Sequence, residues 1–70
     1  MSKAAEECSE LATVLIQQIN KPNKDLSDHI IEEIGDAVFR LNNLRSHYDV
    51  DRIENRIAYK KAREMKKERK

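Results

Sequence analysis

The chain has 70 residues, which is one domain at most and close to the size at which a single hydrophobic core becomes marginal. It is 39% hydrophobic and 39% charged, with a net charge of only +1. Its single cysteine excludes an internal disulfide, and the sequence has no signal peptide and no apolar run long enough to span a bilayer. We therefore expect a cytoplasmic protein that associates with itself or with another chain, since so few large side chains offset its ordering entropy.

The first predicted element is an amphipathic helix from about Ser2 to Asn20. Its apolar residues recur at helical spacing on one face. They are Ala4, Ala5, Cys8, Leu11, Ala12, Leu15, Ile16 and Ile19. Pro22 removes a donor and disfavours helix at Lys21, so the chain is expected to turn there. Cys8 lies within the stripe and is interpreted as a small buried residue.

A second helix is predicted to about Ser46, with Asp25 or Ser27 as its cap. Its apolar face carries Leu26, Ile30, Ile31, Ile34, Ala37, Val38, Leu41 and Leu44. A turn at residues 47–50 follows, and Asp51 with Glu54 is typical of a capping box that opens a third helix. These elements predict one all-α domain over residues 1–70. An antiparallel helical hairpin at 1–46 and a basic helix at 51–70 would be completed as an oligomeric helical bundle.

The same acidic pattern occurs in both helices of the hairpin. The two copies, twenty-six residues apart, are Glu6-Glu7-x-x-Glu10 and Glu32-Glu33-x-x-Asp36. At about 100° per residue, acids three positions apart lie along one edge of the apolar stripe of their helix. When the two stripes pack together, one acidic pair from each helix converges beside the core.

Converging carboxylates repel each other unless a cation compensates them. An all-oxygen ligand set suits a hard ion such as Mg²⁺ or Mn²⁺, and neither helix has the His that a di-iron bundle places three residues after a ligand Glu. Gly35 costs a helix about 1 kcal/mol relative to Ala, which indicates a close approach of another helix or a ligand. A solvated charged face is the alternative, because acidic pairs at this spacing are common.

The acidic turns resemble the signature of the MazG-like all-α nucleotide pyrophosphohydrolases, E-E-x-x-E followed by E-x-x-D. The resemblance covers residues 4–41. It implies hydrolysis of the α–β phosphoanhydride of (d)NTPs to a monophosphate and pyrophosphate. It also implies Mg²⁺ ligands at Glu7, Glu10, Glu33 and Asp36, with Glu6 as a supporting acid or a water-positioning group.

The family usually carries a K-x-x-x-N-x-x-R pattern on a third helix. Here Arg56 stands for the Lys and Lys60 for the Asn, and the resemblance implies phosphate contacts from Arg56, Lys60 and Arg63. Lys67 continues the same stripe, for which a solvated face is the alternative. Family members also have a helix before the first acidic turn, whereas this sequence starts at the motif. We expect a partner chain to complete the pocket, or a reduced form with altered substrate choice or no activity.

Three functions stay open on these grounds. The first is a Mg²⁺-dependent nucleoside triphosphate pyrophosphohydrolase that works as a homodimer or homotetramer. The second is a non-catalytic MazG-like helical module that binds another protein. The third, nucleic-acid binding through residues 52–70, is opposed by the acidic first two helices. His29 and His47 are isolated and are interpreted as ordinary surface or helix-edge residues.

Overall fold

The computed structural model describes residues 1–68, with the side chains of residues 1–66, as three α-helices of equal length. α1 spans Ser2–Asn20, α2 spans Ser27–Arg45 and α3 spans Val50–Glu68. The all-α prediction is confirmed, and α1 has the predicted bounds. The last two residues of the predicted third helix and the side chain of Lys67 lie outside the described part. None of the helices in residues 1–68 combines the length and the apolar character that a bilayer span requires.

The turn between α1 and α2 is held by the side chain of Gln18. Its Nε2 donates to the carbonyl oxygens of Lys21 and Lys24 at 3.2 and 2.6 Å, and its Oε1 accepts from the backbone N–H of Leu26 at 3.0 Å. Asp25 accepts hydrogen bonds from the backbone N–H and the hydroxyl of Ser27, the first residue of α2. These bonds satisfy polar groups that a helix end and a tight turn otherwise leave without partners, so the chain reverses direction within six residues.

α1 and α2 pack against each other as an antiparallel hairpin with a small interior. Val14 is 1% exposed, and Ala4 and Ala37 are also buried. Glu33 is buried among them at 7% exposure. Cys8, predicted to be buried, is only partly so. The helix contact is therefore centred on the polar edge of the predicted stripes, and not on their middle.

α3 leaves the hairpin at a corner near the end of α2. Asp49 caps it by accepting a hydrogen bond from the backbone N–H of Arg52 at 3.1 Å, as an N-cap carboxylate does. The prediction that Asp51 caps this helix is wrong, because the helix begins at Val50 and Asp51 lies in its first turn. An ion pair between Arg45 and Glu54 ties the first turns of α3 to the end of α2.

The three helices form a thin plate and not a compact ball. The Cα radius of gyration is 14.7 Å, whereas a compact chain of this length has about 11 Å. The overall extents are 40 × 39 × 15 Å, and one helix with its side chains is already about 10–12 Å across. The chain is therefore close to a single layer of helices, and both surfaces of the hairpin are open.

The two open surfaces of the hairpin differ in chemistry. Each helix of an antiparallel pair has a line of residues that contacts its partner. Side chains displaced from this line by the same rotation about each helix axis lie on the same side of the pair. This places Glu10 of α1 and Asp36 of α2 on one side. Leu15 of α1 and Val38 of α2 are on the other, and they are 42% and 48% exposed. We call these surfaces the acidic face and the apolar face.

Candidate metal centre

Three of the predicted ligand residues come together on the acidic face. Glu7 of α1 and Glu33 and Asp36 of α2 each offer a carboxylate oxygen, and these three oxygens lie within 4.8 Å of one another. Glu33 is buried, Glu7 is partly buried and Asp36 is exposed. The hairpin turn sets this register, because it places the first turns of α1 beside the middle of α2.

The buried carboxylate of Glu33 is the most unusual group in the cluster. Its Oε2 is inaccessible to solvent and has no hydrogen-bond partner among the residues that the structure describes. An ionised oxygen removed from water without a partner is costly to the fold. Its other oxygen, Oε1, lies 3.3 Å from Nε2 of His29, one turn earlier in α2. One side of the carboxylate is thus occupied by the imidazole, while the other accepts no hydrogen bond from the described residues in this structure.

Glu10, the fourth predicted ligand, lies beside the same cluster. Its pKa is raised above the ordinary value by partial desolvation, then by the negative charges of Glu33, Glu7 and Glu6. Its protonated form can also donate a hydrogen bond to Glu33, which raises the pKa further. Since repulsion between carboxylates contributes to this shift, the cluster holds more negative charge than its own cations neutralise.

The remaining predicted acid, Glu6, is directed elsewhere. It pairs with Lys3 at 3.7 Å, and both side chains are exposed. Glu7 instead has a cation from α2, because the Nε of Arg40 lies 3.6 Å from its Oε1. The guanidinium of Arg40 is also stacked near the ring of Phe39, 5.3 Å from its centroid. Arg40 therefore bridges the two helices at the edge of the cluster.

The donor set fits a hard divalent cation. Two oxygens on one Mg²⁺ ion are at most about 4.2 Å apart, since each bond is about 2.1 Å long. Only one pair among three oxygens can reach that limit, because neighbouring oxygens of an octahedral ion are about 3.0 Å apart. Three oxygens within 4.8 Å of one another would therefore need to draw together by up to about 2 Å to share an ion. The Oε2 of Glu33 is a buried oxygen that accepts no hydrogen bond from the described residues. Exposed acidic groups are common without an ion, so the buried oxygen, and not the number of acids, is the feature that favours a cation.

A shallow groove continues from the cluster along the acidic face. It has a volume of about 250 Å³ and runs past Glu33 and His29 toward the hairpin turn. The α1 residues that line it are Ser9, Glu10, Thr13, Val14 and Gln17. The hydroxyl of Thr13 is already bonded to the carbonyl of Ser9 at 2.9 Å. A small ligand on the cluster would therefore have an adjoining surface with a valine floor and polar walls.

The predicted phosphate-binding residues lie on α3, away from the cluster. Arg56 and Arg63 are stacked over the ring of Tyr59, at 4.9 and 5.7 Å from its centroid, and Lys60 is exposed. Among the described residues, no side chain of α3 lines the groove or belongs to the acidic cluster. These basic residues lie along one helix, but the fold of the described residues does not bring them to the acidic cluster of the same chain.

Two residues near the cluster were not predicted from the sequence. His29 was interpreted as an ordinary surface residue and Arg40 was not considered. Both lie four residues from a predicted ligand on α2, His29 before Glu33 and Arg40 after Asp36. Side chains four positions apart in a helix are neighbours, so this spacing could have identified both.

The described residues make no close approach to Gly35, so the approach of a ligand or of another chain stays a prediction. A Cβ atom built on this glycine meets no other atom within 4 Å. No helix or backbone of the described residues approaches it, so the chain itself gives no reason for a glycine at this place.

Comparison with protein-family models, with curated proteins and with solved structures finds no match for this chain.

Proposed function

We propose that this chain is a Mg²⁺-dependent nucleoside triphosphate pyrophosphohydrolase that cleaves the α–β phosphoanhydride to yield a monophosphate and pyrophosphate. The observation that carries the proposal is the buried Oε2 of Glu33, which has no partner and lies within a cluster of converging carboxylates. The resemblance of the two acidic turns to the MazG-like signature supplies the reaction. Mn²⁺ has the same ligand preference and serves as the alternative ion.

Each residue of the cluster has a defined part in this proposal. Glu7, Glu33 and Asp36 are the cation ligands, and Glu10 adds a fourth carboxylate at the open edge. His29 orients Glu33 through Oε1, so that Oε2 stays directed to the cation, and Arg40 positions Glu7 in the same way. Such outer partners fix the orientation of ligands. The bound ion would neutralise charge on the phosphate oxygens.

The proposal also requires more than one chain. Arg56, Lys60 and Arg63 suit phosphate contact, but α3 does not reach the acidic groove of its own chain. We propose that these side chains act on the site of a neighbouring copy in a homodimer or homotetramer. Nucleoside triphosphates are the proposed substrate, and the cytoplasm is the proposed location.

The direct test is turnover of each (d)NTP by the purified protein with Mg²⁺, read as release of the monophosphate and pyrophosphate. We expect Glu33→Gln to abolish turnover. Glu32→Gln is the matched control, because it removes the same charge from the next, exposed position on α2 and should leave turnover intact. Absence of turnover by the wild type, or equal rates for it and Glu33→Gln, would refute the proposal.

A second function, a non-catalytic module that binds another protein, is favoured by the exposed apolar side chains. Ile19 of α1 and Ile31 of α2 are 75% and 67% exposed, which is unusual for side chains of this size in a monomer. This alternative predicts a stoichiometric complex with a different protein and no change in melting temperature on addition of Mg²⁺ and a nucleotide. A Mg²⁺-dependent rise in melting temperature that Glu33→Gln removes would exclude it.

A further inference from the structure

The apolar face of the hairpin is not covered by any other part of residues 1–68. Its large side chains, all at least 42% exposed, are Leu15, Ile16, Ile19, Ile34, Val38 and Leu41. Helices of a folded domain bury such a stripe against a second layer. Here the acidic cluster occupies the opposite side of the same two helices, so a layer added on the apolar face would leave the acidic face open.

An apolar groove extends this face to the corner between α2 and α3. Its volume is about 390 Å³. The apolar side chains that line it are Val38, Leu41, Leu44, Tyr48, Ile53 and Ile57. Because Val38 and Leu41 belong both to the groove and to the apolar face, the two form one continuous surface that involves all three helices.

The exposed area of the chain matches what a stable dimer buries. The accessible surface is 6178 Å², whereas a compact monomer of this mass has about 4,500 Å². The excess is about 1,600 Å² for each chain, or about 3,200 Å² for two, which lies within the roughly 2,000–5,000 Å² that obligate dimers bury. Association with one second copy is therefore enough to bury this excess accessible surface.

The charges of the chain are complementary between two copies. Residues 1–46 contain eight acidic and five basic residues, whereas residues 47–70 contain five acidic and nine basic ones. The hairpin is thus negative and the α3 segment positive. If α3 lies beside the hairpin of the other copy, two-fold symmetry makes that contact occur twice, and the charge asymmetry is attractive at both ends.

We propose that the apolar face and its groove form the interface with a second copy of this chain, which stacks the two hairpins as two layers. The inference rests on the proposed function for the existence of an oligomer, but not for the nucleotide chemistry. In this arrangement the two acidic faces lie on the outer sides of the layers. The phosphate contacts proposed for Arg56, Lys60 and Arg63 would then come from a further dimer, as in the homotetramer. The basic α3 of each copy lies beside the negative hairpin of the other.

The test is sedimentation equilibrium of the full chain without Mg²⁺ or nucleotide. The wild type is expected at twice the chain mass of 8.2 kDa. Ile34→Glu on α2 and Ile19→Glu on α1 should each weaken the dimer at least tenfold. Phe39→Glu is the matched control, because Phe39 is 59% exposed but lies on the other side of α2. This variant should remain dimeric.

A monomeric wild type overturns the proposal, and so does a dimer that survives both apolar-face substitutions or dissociates in Phe39→Glu. If the two variants fail to fold by circular dichroism, the melting temperature of the wild type decides. It should rise with protein concentration when folding and dimerisation are coupled, and a constant value overturns the inference. Dimerisation without turnover refutes the enzymatic function and leaves the interface standing, whereas turnover by a monomer refutes the interface and the part proposed for α3 of a neighbouring copy.

Discussion

Replacement of Glu33 by Gln removes one negative charge from the buried centre of the acidic cluster and nearly preserves the shape of the side chain. Two unit charges at 4.8 Å repel by about 0.9 kcal/mol in water and by about 3.5 kcal/mol at an effective dielectric constant of 20. Glu33 faces two such charges, Glu7 and Asp36, while its contact with His29 offsets part of the repulsion. Because Asp36 is exposed and well screened, we expect a gain of about 1 kcal/mol in the unfolding free energy without metal.

When Mg²⁺ is present, the same substitution should no longer raise the unfolding free energy above that of the wild type. A gain of about 1 kcal/mol raises the melting temperature of a domain of this size by about 4–8 °C. For a site with a dissociation constant of about 1 mM, 10 mM Mg²⁺ would stabilise the wild type by about 1.4 kcal/mol. Glu33→Gln should lose most of that response. The variant is thus expected to melt above the wild type in chelator and at or below it in Mg²⁺.

Thermal unfolding followed by circular dichroism, at one protein concentration and in chelator or 10 mM Mg²⁺, measures both effects. Glu32→Gln controls for the loss of a charge from α2 and should respond to Mg²⁺ as the wild type does. A metal-free variant that is less stable than the wild type would show that the carboxylate of Glu33 is satisfied within the chain. Equal Mg²⁺ responses in the wild type and Glu33→Gln would refute the cation site.

Three further predictions follow from the fold and the cluster. Gln18→Ala should destabilise the chain by about 1–3 kcal/mol in chemical denaturation, because it leaves the Leu26 N–H without its acceptor. Gln17→Ala is the control and should change the stability little, because the Gln17 side chain makes no hydrogen bond among the described residues. Gly35→Ala should stabilise the helix by about 1 kcal/mol, since a Cβ there meets open space; a lower melting temperature would reveal a neighbour supplied by another chain. The pKa of Glu10 is raised, so its contribution to stability is complete below pH 4.5, its ordinary value, and is lost as the pH rises through the folded-state value. Across this window, the unfolding free energy of the wild type should therefore fall with rising pH relative to that of Glu10→Gln, because the lowered pKa of Asp25 acts equally in both proteins.

The secondary structure was predictable because local signals decide it. The helical spacing of the apolar residues and the single proline predicted the first two helices and the turn between them, and the predicted bounds of α1 were correct. The start of α3 was missed by a residue because Asp49 and Asp51 are both good caps in sequence. Only the fold shows that the side chain of Asp49 accepts the hydrogen bond from Arg52.

The face that each helix buries was less predictable. The centre of an apolar stripe is normally the centre of its contact, and this rule would have placed residues such as Leu15 in the interior. Val14 is buried instead, and Leu15 is 42% exposed. Under the proposed dimer, each stripe would make two contacts, one within the chain and one with the second copy, and would be wider than either. The sequence shows the whole stripe, and the structure shows which part of it is buried within the chain.

This division of each stripe also explains why a carboxylate can be buried in so small a protein. Because the α1–α2 contact is shifted to the polar edge, Glu33 lies in the interior while isoleucines and valines are exposed. Such an arrangement is unfavourable for a monomer on both surfaces, since it leaves a buried charge unpaired at one surface and apolar area exposed at the other. A cation on the acidic face and a second copy on the apolar face would remedy the two costs separately. The hairpin would then be fully stable only with both, and the affinity for either should increase when the other is bound.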